Sequence, residues 1–225
     1  MRDTASSSAS YDATRHRVAS YFDGTATRVW ERLTSDAPVS RIRQTVREGR
    51  DTMRAMMLGQ LPGDLTGARV LDAGCGTGAA SAELAARGAD VVAIDISPKL
   101  VEIAAARLPE GLRARVTFKA GDMLAADLGH FHHVIAMDSL IYYTRPDLEA
   151  ALDGLSARAG QVVFTVAPRT PLLMAMWNAG KVFPRSDRSP VMIPHDWRRM
   201  AVAGLDRVGR VSRGFYISEC LRVRP

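Results

Sequence analysis

The stretch VLDAGCGTGAASAELAARGADVVAID, from Val70 to Asp95, constrains this chain more than any other. It holds an apolar run with a carboxylate, three glycines within five residues, an alanine-rich helical segment and a second apolar run ending in a carboxylate. A helix between two short buried runs implies parallel strands, because parallel neighbours need a crossover. The alternation continues down the chain. Helical segments over 79–87 and 98–107 flank ADVVAID; then come RVTFKAGD, FHHVIAMD, a helix starting near Pro146, and QVVFTVAP. At least five strands of a mainly parallel sheet follow. A helix around Asp196 to Ala203 precedes two runs, Asp206–Ser212 and Phe215–Val223, whose junction at Gly214 predicts an antiparallel hairpin.

Gly74, Gly76 and Ala79 satisfy a dinucleotide fingerprint, with Asp95 at the right distance beyond it, so a nicotinamide or flavin is the first candidate ligand. Asp72 argues against it, because a carboxylate beside a pyrophosphate is repulsive. S-adenosylmethionine (SAM) has no phosphate and carries an ammonium and a sulfonium, both of which favour carboxylates. The pattern Asp72-x-Gly74-x-Gly76-x-Gly78 fits that ligand, the glycines letting backbone approach it closely. Asp95, with Ile96 beside it, ends the second strand and can accept from ribose hydroxyls. Asp122 and Met123 follow the third, as acceptor for an adenine amino group and as packing on its ring. Asp138 follows the fourth. Ligands of open parallel sheets bind at these strand ends. A helix cap or loop role is the alternative for Asp95 and Asp138. A hairpin closing a parallel sheet completes a Rossmann-like class I methyltransferase fold: α/β, with seven strands, mainly parallel, a C-terminal antiparallel hairpin and an N-terminal helical lid.

With 225 residues and 47% apolar composition, the chain can build one well-packed core plus an appendage. Residues 1–10, rich in Ser, Ala and Thr, are expected to be disordered. Residues 11–62 form the lid, and 63–225 the methyltransferase domain, with an insertion over 168–195 covering the substrate. In the lid, Ser40 caps a helix to Leu61 whose stripe is Ile42, Val46, Met53 and Met57. Arg43, Arg47, Arg50 and Arg54 share its other face. Arg43 and Arg47 are candidates for a substrate or cofactor carboxylate, a solvated face being the alternative. The formal charge of +6 invites a nucleic-acid reading. Scattered arginines and 6% aromatic residues argue against it. No export signal or membrane-spanning run is evident, so a cytoplasmic protein is expected. Cys75 and Cys220 are expected as free thiols. His132, His133 and His195 lack metal-site spacing, so no protein-held metal is expected.

The chain resembles the magnesium protoporphyrin IX methyltransferases of chlorophyll and bacteriochlorophyll synthesis, in particular the purple-bacterial branch. The resemblance rests on YFDGTATRVWERL (Tyr21–Leu33), VSRIRQTVREGRDTM (Val39–Met53), VLDAGCGTG, VVAIDIS, AMDSLIYY (Ala136–Tyr143), FTVAPRTPLL (Phe164–Leu173) and RGFYISECL (Arg213–Leu221). It implies methyl transfer from SAM to a propionate of magnesium protoporphyrin IX, giving the 13-monomethyl ester and S-adenosylhomocysteine (SAH), with magnesium belonging to the substrate. The family is thought to place a tyrosine of the YF block, matched by Tyr21, and a histidine of a LIHY block near the transferred methyl. Tyr142 stands at the histidine's position, which points to orientation of the propionate rather than proton removal. Core packing is the alternative for both tyrosines. The resemblance also implies contact with the porphyrin-binding subunit of magnesium chelatase. The apolar segment Leu172–Phe183 is too short to span a bilayer and suits covering a macrocycle, a peripheral contact with the photosynthetic membrane, or core packing. Methyl transfer to another small planar or anionic acceptor, a nicotinamide oxidoreductase and a non-catalytic regulatory module remain as rivals.

Overall fold

The computed structural model describes residues 4–24, 26–34, 40–171, 173–174 and 190–224. Three helices come first: α1 (Thr4–Asp23), α2 (Ala26–Leu33) and α3 (Arg41–Leu58). Strands and helices then alternate as β1 (Arg69–Ala73), α4 (Ala79–Ala86), β2 (Asp90–Asp95), α5 (Pro98–Arg107), β3 (Val116–Ala120), β4 (His133–Ala136), α6 (Arg145–Ser156) and β5 (Val162–Pro168). The two-residue β6 (Pro194–His195), β7 (Leu205–Arg213) and β8 (Tyr216–Val223) complete the chain.

The main sheet has the order β3-β2-β1-β4-β5-β8-β7, and β6 pairs with β5 off this path. β1 to β5 run parallel, and β8 returns antiparallel between β5 and β7. The expected seven strands are therefore present, with β6 as a short addition. Alternating side chains feed two cores. Leu71, Val134, Phe164 and Leu221 face α6, while Val70, Ile135, Val163 and Cys220 face α3 and α4. Because β1 is flanked by β2 on one side and β4 on the other, the chain leaves it in opposite directions. The crevice at that switch point is where an α/β sheet binds ligand.

Three expectations need correction. The first ten residues are not all outside regular structure: α1 begins at Thr4, and Ser10 Oγ donates to Asp147 2.8 Å away. Ser and Ala tolerate a helix once Tyr11 anchors it, stacked on Tyr143 at 4.8 Å. The helix expected over Asp196–Ala203 is only a 3-10 turn at Trp197–Arg199, because Met200 turns into the core and Ala201 N donates to Glu149. In α3, Ser40 caps and Met53 and Met57 are buried as expected, but Ile42 is 57% exposed, because every residue of the first turn from Arg41 to Gln44 is exposed. Most of the expected insertion, including nearly all of Leu172–Phe183, lies outside the described residues.

Candidate functional site

A cleft of about 330 Å³ opens over the carboxyl ends of β1, β2 and β4, beneath α1, α2 and α3. Its floor is the glycine turn. Gly74 N and Cys75 N both donate to Ile94 O, at 2.8 and 2.9 Å. Gly74 has φ +85°, and a Cβ there would lie 2.3 Å from Ser139 Cβ, so only glycine fits. Asp95 holds the turn from below: Oδ2 accepts from Gly76 N and Oδ1 from Ser97 N, each at 2.9 Å. Asp72 is 2% exposed, and its Oδ2 accepts from Ser81 Oγ at 2.5 Å. Burial pushes Asp72 up to about 6, against the Ser81 hydrogen bond, and the nearby Asp95 adds to the rise. Burial also raises Asp95, opposed by the bonds from Ser97 and Gly76. Asp72, desolvated and bonded only to Ser81, suits a cation, while Asp95 is held by two backbone N–H groups.

The far walls come from remote elements. Asp122 Oδ1 accepts from Tyr11 Oη at 2.7 Å and Leu124 N at 2.9 Å, and Oδ2 from Arg15 at 3.0 Å. Asp138 is a non-glycine residue at φ +56°. Its conformation is fixed from several sides: Thr165 Oγ1 accepts from its N at 2.7 Å, Tyr216 Oη donates to both carboxylate oxygens at 3.1 and 3.2 Å, and Arg50 forms an ion pair with Oδ2. Arg50 also lies 4.5 Å over the ring of Trp30 from α2. Tyr142 faces this end of the cleft, and burial raises its pKa, with the Asp138 charge adding to the rise. It is therefore a phenol, a donor and not a base, at neutral pH.

The cleft thus gathers Asp72, Gly74, Gly76, Asp95, Ile96, Asp122, Met123, Asp138 and Tyr142 from the sequence-predicted set. Three predicted residues are placed otherwise. Gly78 is not in the wall; it starts α4 in a left-handed conformation and packs on Ala104. Tyr21 packs edge-on against Phe22, 5.1 Å away, behind the wall. Arg43 is exposed at the first turn of α3, away from the cleft. Arg47 lines it while donating to Leu33 O and Arg32 O. His195 is buried, with Nε2 3.1 Å from Tyr143 O. Among the described residues no cluster of His, Cys, Asp and Glu could hold a metal. Sequence reasoning missed Trp30, Ser139, Tyr11, Arg15 and Tyr216; Arg50 was visible only as one arginine of a stripe. The two cysteines are free and buried, and burial drives the Cys75 thiol well up, so it supplies no nucleophile.

The donors present suit SAM: carboxylates for its positive groups, an apolar wall of Ile96, Leu100 and Met123, and a glycine turn open to close approach.

Comparison with known proteins agrees. A family profile described as magnesium-protoporphyrin IX methyltransferase C-terminus matches residues 136–225, and a general methyltransferase domain matches residues 70–158. The chain is 60% identical over 220 residues to a magnesium-protoporphyrin O-methyltransferase of Rhodobacter capsulatus, covering 96% of this chain and 98% of that one. A relative of the same description from Synechocystis is 31% identical, covering 91% and 93%. The crystal structure of magnesium protoporphyrin IX methyltransferase from Synechocystis with bound SAH superposes with a TM-score of 0.76 at 30% identity, covering 92% of this chain and 98% of that one.

Proposed function

Because this chain belongs to the magnesium protoporphyrin IX methyltransferase family, we propose that the cleft over β1, β2 and β4 is where a porphyrin propionate is esterified, giving the 13-monomethyl ester. The chain is a SAM-dependent O-methyltransferase acting on magnesium protoporphyrin IX. Bound SAM supplies an electrophilic methyl group: the carboxylate oxygen forms the new bond, the C–S bond breaks with its electron pair passing to sulfur, and SAH leaves.

The protein's task follows from the acceptor's chemistry. A propionate is ionised at neutral pH, so no general base is needed. What the reaction lacks in water is alignment and a dry nucleophile. Asp72 meets the positive end of the cofactor, Asp95 accepts from its ribose hydroxyls, and the rigid turn between them fixes its position. Tyr142 donates a hydrogen bond that orients the propionate. Arg50 is held by Asp138 and Trp30, and its charge balances Asp138 in the cleft. The observation that carries this reading is the meeting in one cleft of two desolvated carboxylates and the half-buried, protonated Tyr142.

Substrate handed over by the porphyrin-binding subunit of magnesium chelatase follows from the family resemblance. A peripheral membrane contact is supported by exposed Ile42 and Phe215, the latter 64% exposed at the hairpin turn. Gly214 lies against Thr45, which sets the turn beside the start of α3 with its exposed Arg41 and Arg43. Among the described residues no helix is long and apolar enough to cross a membrane.

The test is transfer of labelled methyl from SAM to magnesium protoporphyrin IX, with metal-free protoporphyrin and a fatty acid as parallel acceptors. One added methyl on the magnesium porphyrin alone is the expected product. Cofactor binding with no porphyrin methylation would overturn the reading.

A further inference from the structure

A second cleft, of about 310 Å³, adjoins the first and is lined by Thr144, Arg145, Arg169, Pro194, His195 and Arg199 among others. Tyr143 is the partition between the two. It lines the cofactor cleft, while its backbone carbonyl meets His195 Nε2 in the second. The two clefts meet at consecutive residues, since Tyr143 lines the first and Thr144 the second. Backbone pairing of Ile193 N with Ile141 O, and of Arg169 N with His195 O, fixes the second cleft's floor to the segment that carries Tyr142.

The charge in this cleft is one-sided. Three arginines face a single lining carboxylate, Asp196. Arg145 donates to Arg199 O at 3.3 Å and lies 3.8 Å from Glu149; Arg199 lies 3.6 Å from Asp196. Arg169 is exposed and its guanidinium has no partner among the described residues. Burial lowers the pKa of His195, so the imidazole is neutral and adds a packed wall rather than charge.

We propose that this second cleft receives the carboxylate that is not methylated: the second propionate of the porphyrin diacid, with Arg169 as its principal partner. The inference rests on the reading of the reaction given above. A planar guanidinium suits a carboxylate because two parallel N–H donors meet its two oxygens. A substrate bearing its two propionates on neighbouring pyrrole rings can place one on either side of Tyr143. Holding the second carboxylate fixes which of the two reaches the methyl group, so the cleft determines regiochemistry as well as affinity.

The experiment compares magnesium protoporphyrin IX with its 17-monomethyl ester, in which the second carboxylate is already blocked. Dissociation constants are read from quenching of porphyrin fluorescence without cofactor, for the wild type, Arg169→Gln and Arg169→Glu. The expected result is roughly tenfold weaker binding of the diacid to Arg169→Gln, and weaker still to Arg169→Glu. The ester should bind all three proteins alike. With SAM present, the variants should yield a mixture of 13- and 17-esters from the diacid. Unchanged diacid affinity in both variants, or equal losses for diacid and ester, would overturn the proposal. Wild-type turnover of the diacid is read separately, and its absence would count against the assigned reaction, while the diacid-to-ester binding ratio still decides the subsite.

Discussion

Two aspartates that look equivalent in sequence have different physical roles. Asp72 makes one side-chain hydrogen bond, to Ser81, and is held near pH 6 by burial. Its pKa is higher folded than unfolded. Its contribution to stability is therefore present below about pH 4 and lost as pH rises through about 6, on the order of 3 kcal/mol of destabilisation for the ligand-free fold. A cationic ligand favours the ionised form, so SAM should bind more tightly as pH rises from 5 to 7, with net proton release. Calorimetry in two buffers of different ionisation enthalpy measures that release, and none at pH 6 would rule out Asp72 as a cation receptor. Asp72→Asn keeps an acceptor for Ser81 and removes the buried charge. It should flatten the pH dependence of Tm and weaken SAM roughly tenfold, the loss of one charge-assisted contact. Asp95 behaves otherwise, because its two oxygens accept from Gly76 N and Ser97 N. In Asp95→Asn the amide nitrogen must face one of those donors. Thermal unfolding should show a loss of about 1–3 kcal/mol beside the weakened cofactor binding. Both aspartates were legible because strand-end carboxylates beside glycines are a local pattern. The partners of Asp122 and Asp138 were not: they come from Tyr11, Arg15, Arg50 and Tyr216, brought close only by the fold.

At the scale of elements, legibility followed burial. β2 and β5 are buried almost along their whole length, so continuous runs of Val, Ile and Phe announced them, and α5 spans the expected 98–107 behind its Ser97 cap. β6 was invisible because a two-residue strand has no period, and the residues after Asp196 take a path set by Met200 and Glu149 rather than by local preference. α3 shows how an element transmits position to the site. Gly49, buried in its middle, meets Tyr216, where a Cβ would lie 2.7 Å from Cδ1 and 3.0 Å from Cβ of the tyrosine. Alanine favours the helix by about 1 kcal/mol, but overpacking costs about 1–3 kcal/mol. Since Tyr216 is anchored by β8 and holds Asp138, the strain must displace either α3 or that hydrogen bond. Gly49→Ala should lower Tm by several degrees and reduce kcat, with Tyr216→Phe reproducing the kinetic loss and not the thermal one. A more stable and fully active Gly49→Ala protein would mean that the α3 contact does not set Asp138.

For the whole molecule, the question is how a ligand reaches a cleft that three helices cover. α1 is tied down at both ends. Near its start Ser10 reaches Asp147, and Tyr11 and Arg15 reach Asp122; at its end Asp23 accepts from Ser97 Oγ. Val18 and Phe22 lie between these ties and form part of the cleft wall. Entry is therefore expected to require release of Asp122 by α1, with the ties setting the free-energy cost of opening. Arg15 is the tie best suited to test, because Tyr11 and Leu124 N still occupy Asp122 in its absence. Trp30, from α2, lines the same cleft and reports its state. On rapid mixing with SAM, the rate of change of tryptophan emission should rise with concentration and then level off at the opening rate. In Arg15→Gln the plateau should be several-fold higher, as expected for loss of one partly exposed charge-assisted bond worth about 1 kcal/mol. Dissociation should accelerate in parallel, so that the equilibrium constant moves less than either rate. A rate linear in SAM, with the same slope in both proteins, would mean that the cofactor enters without waiting for α1.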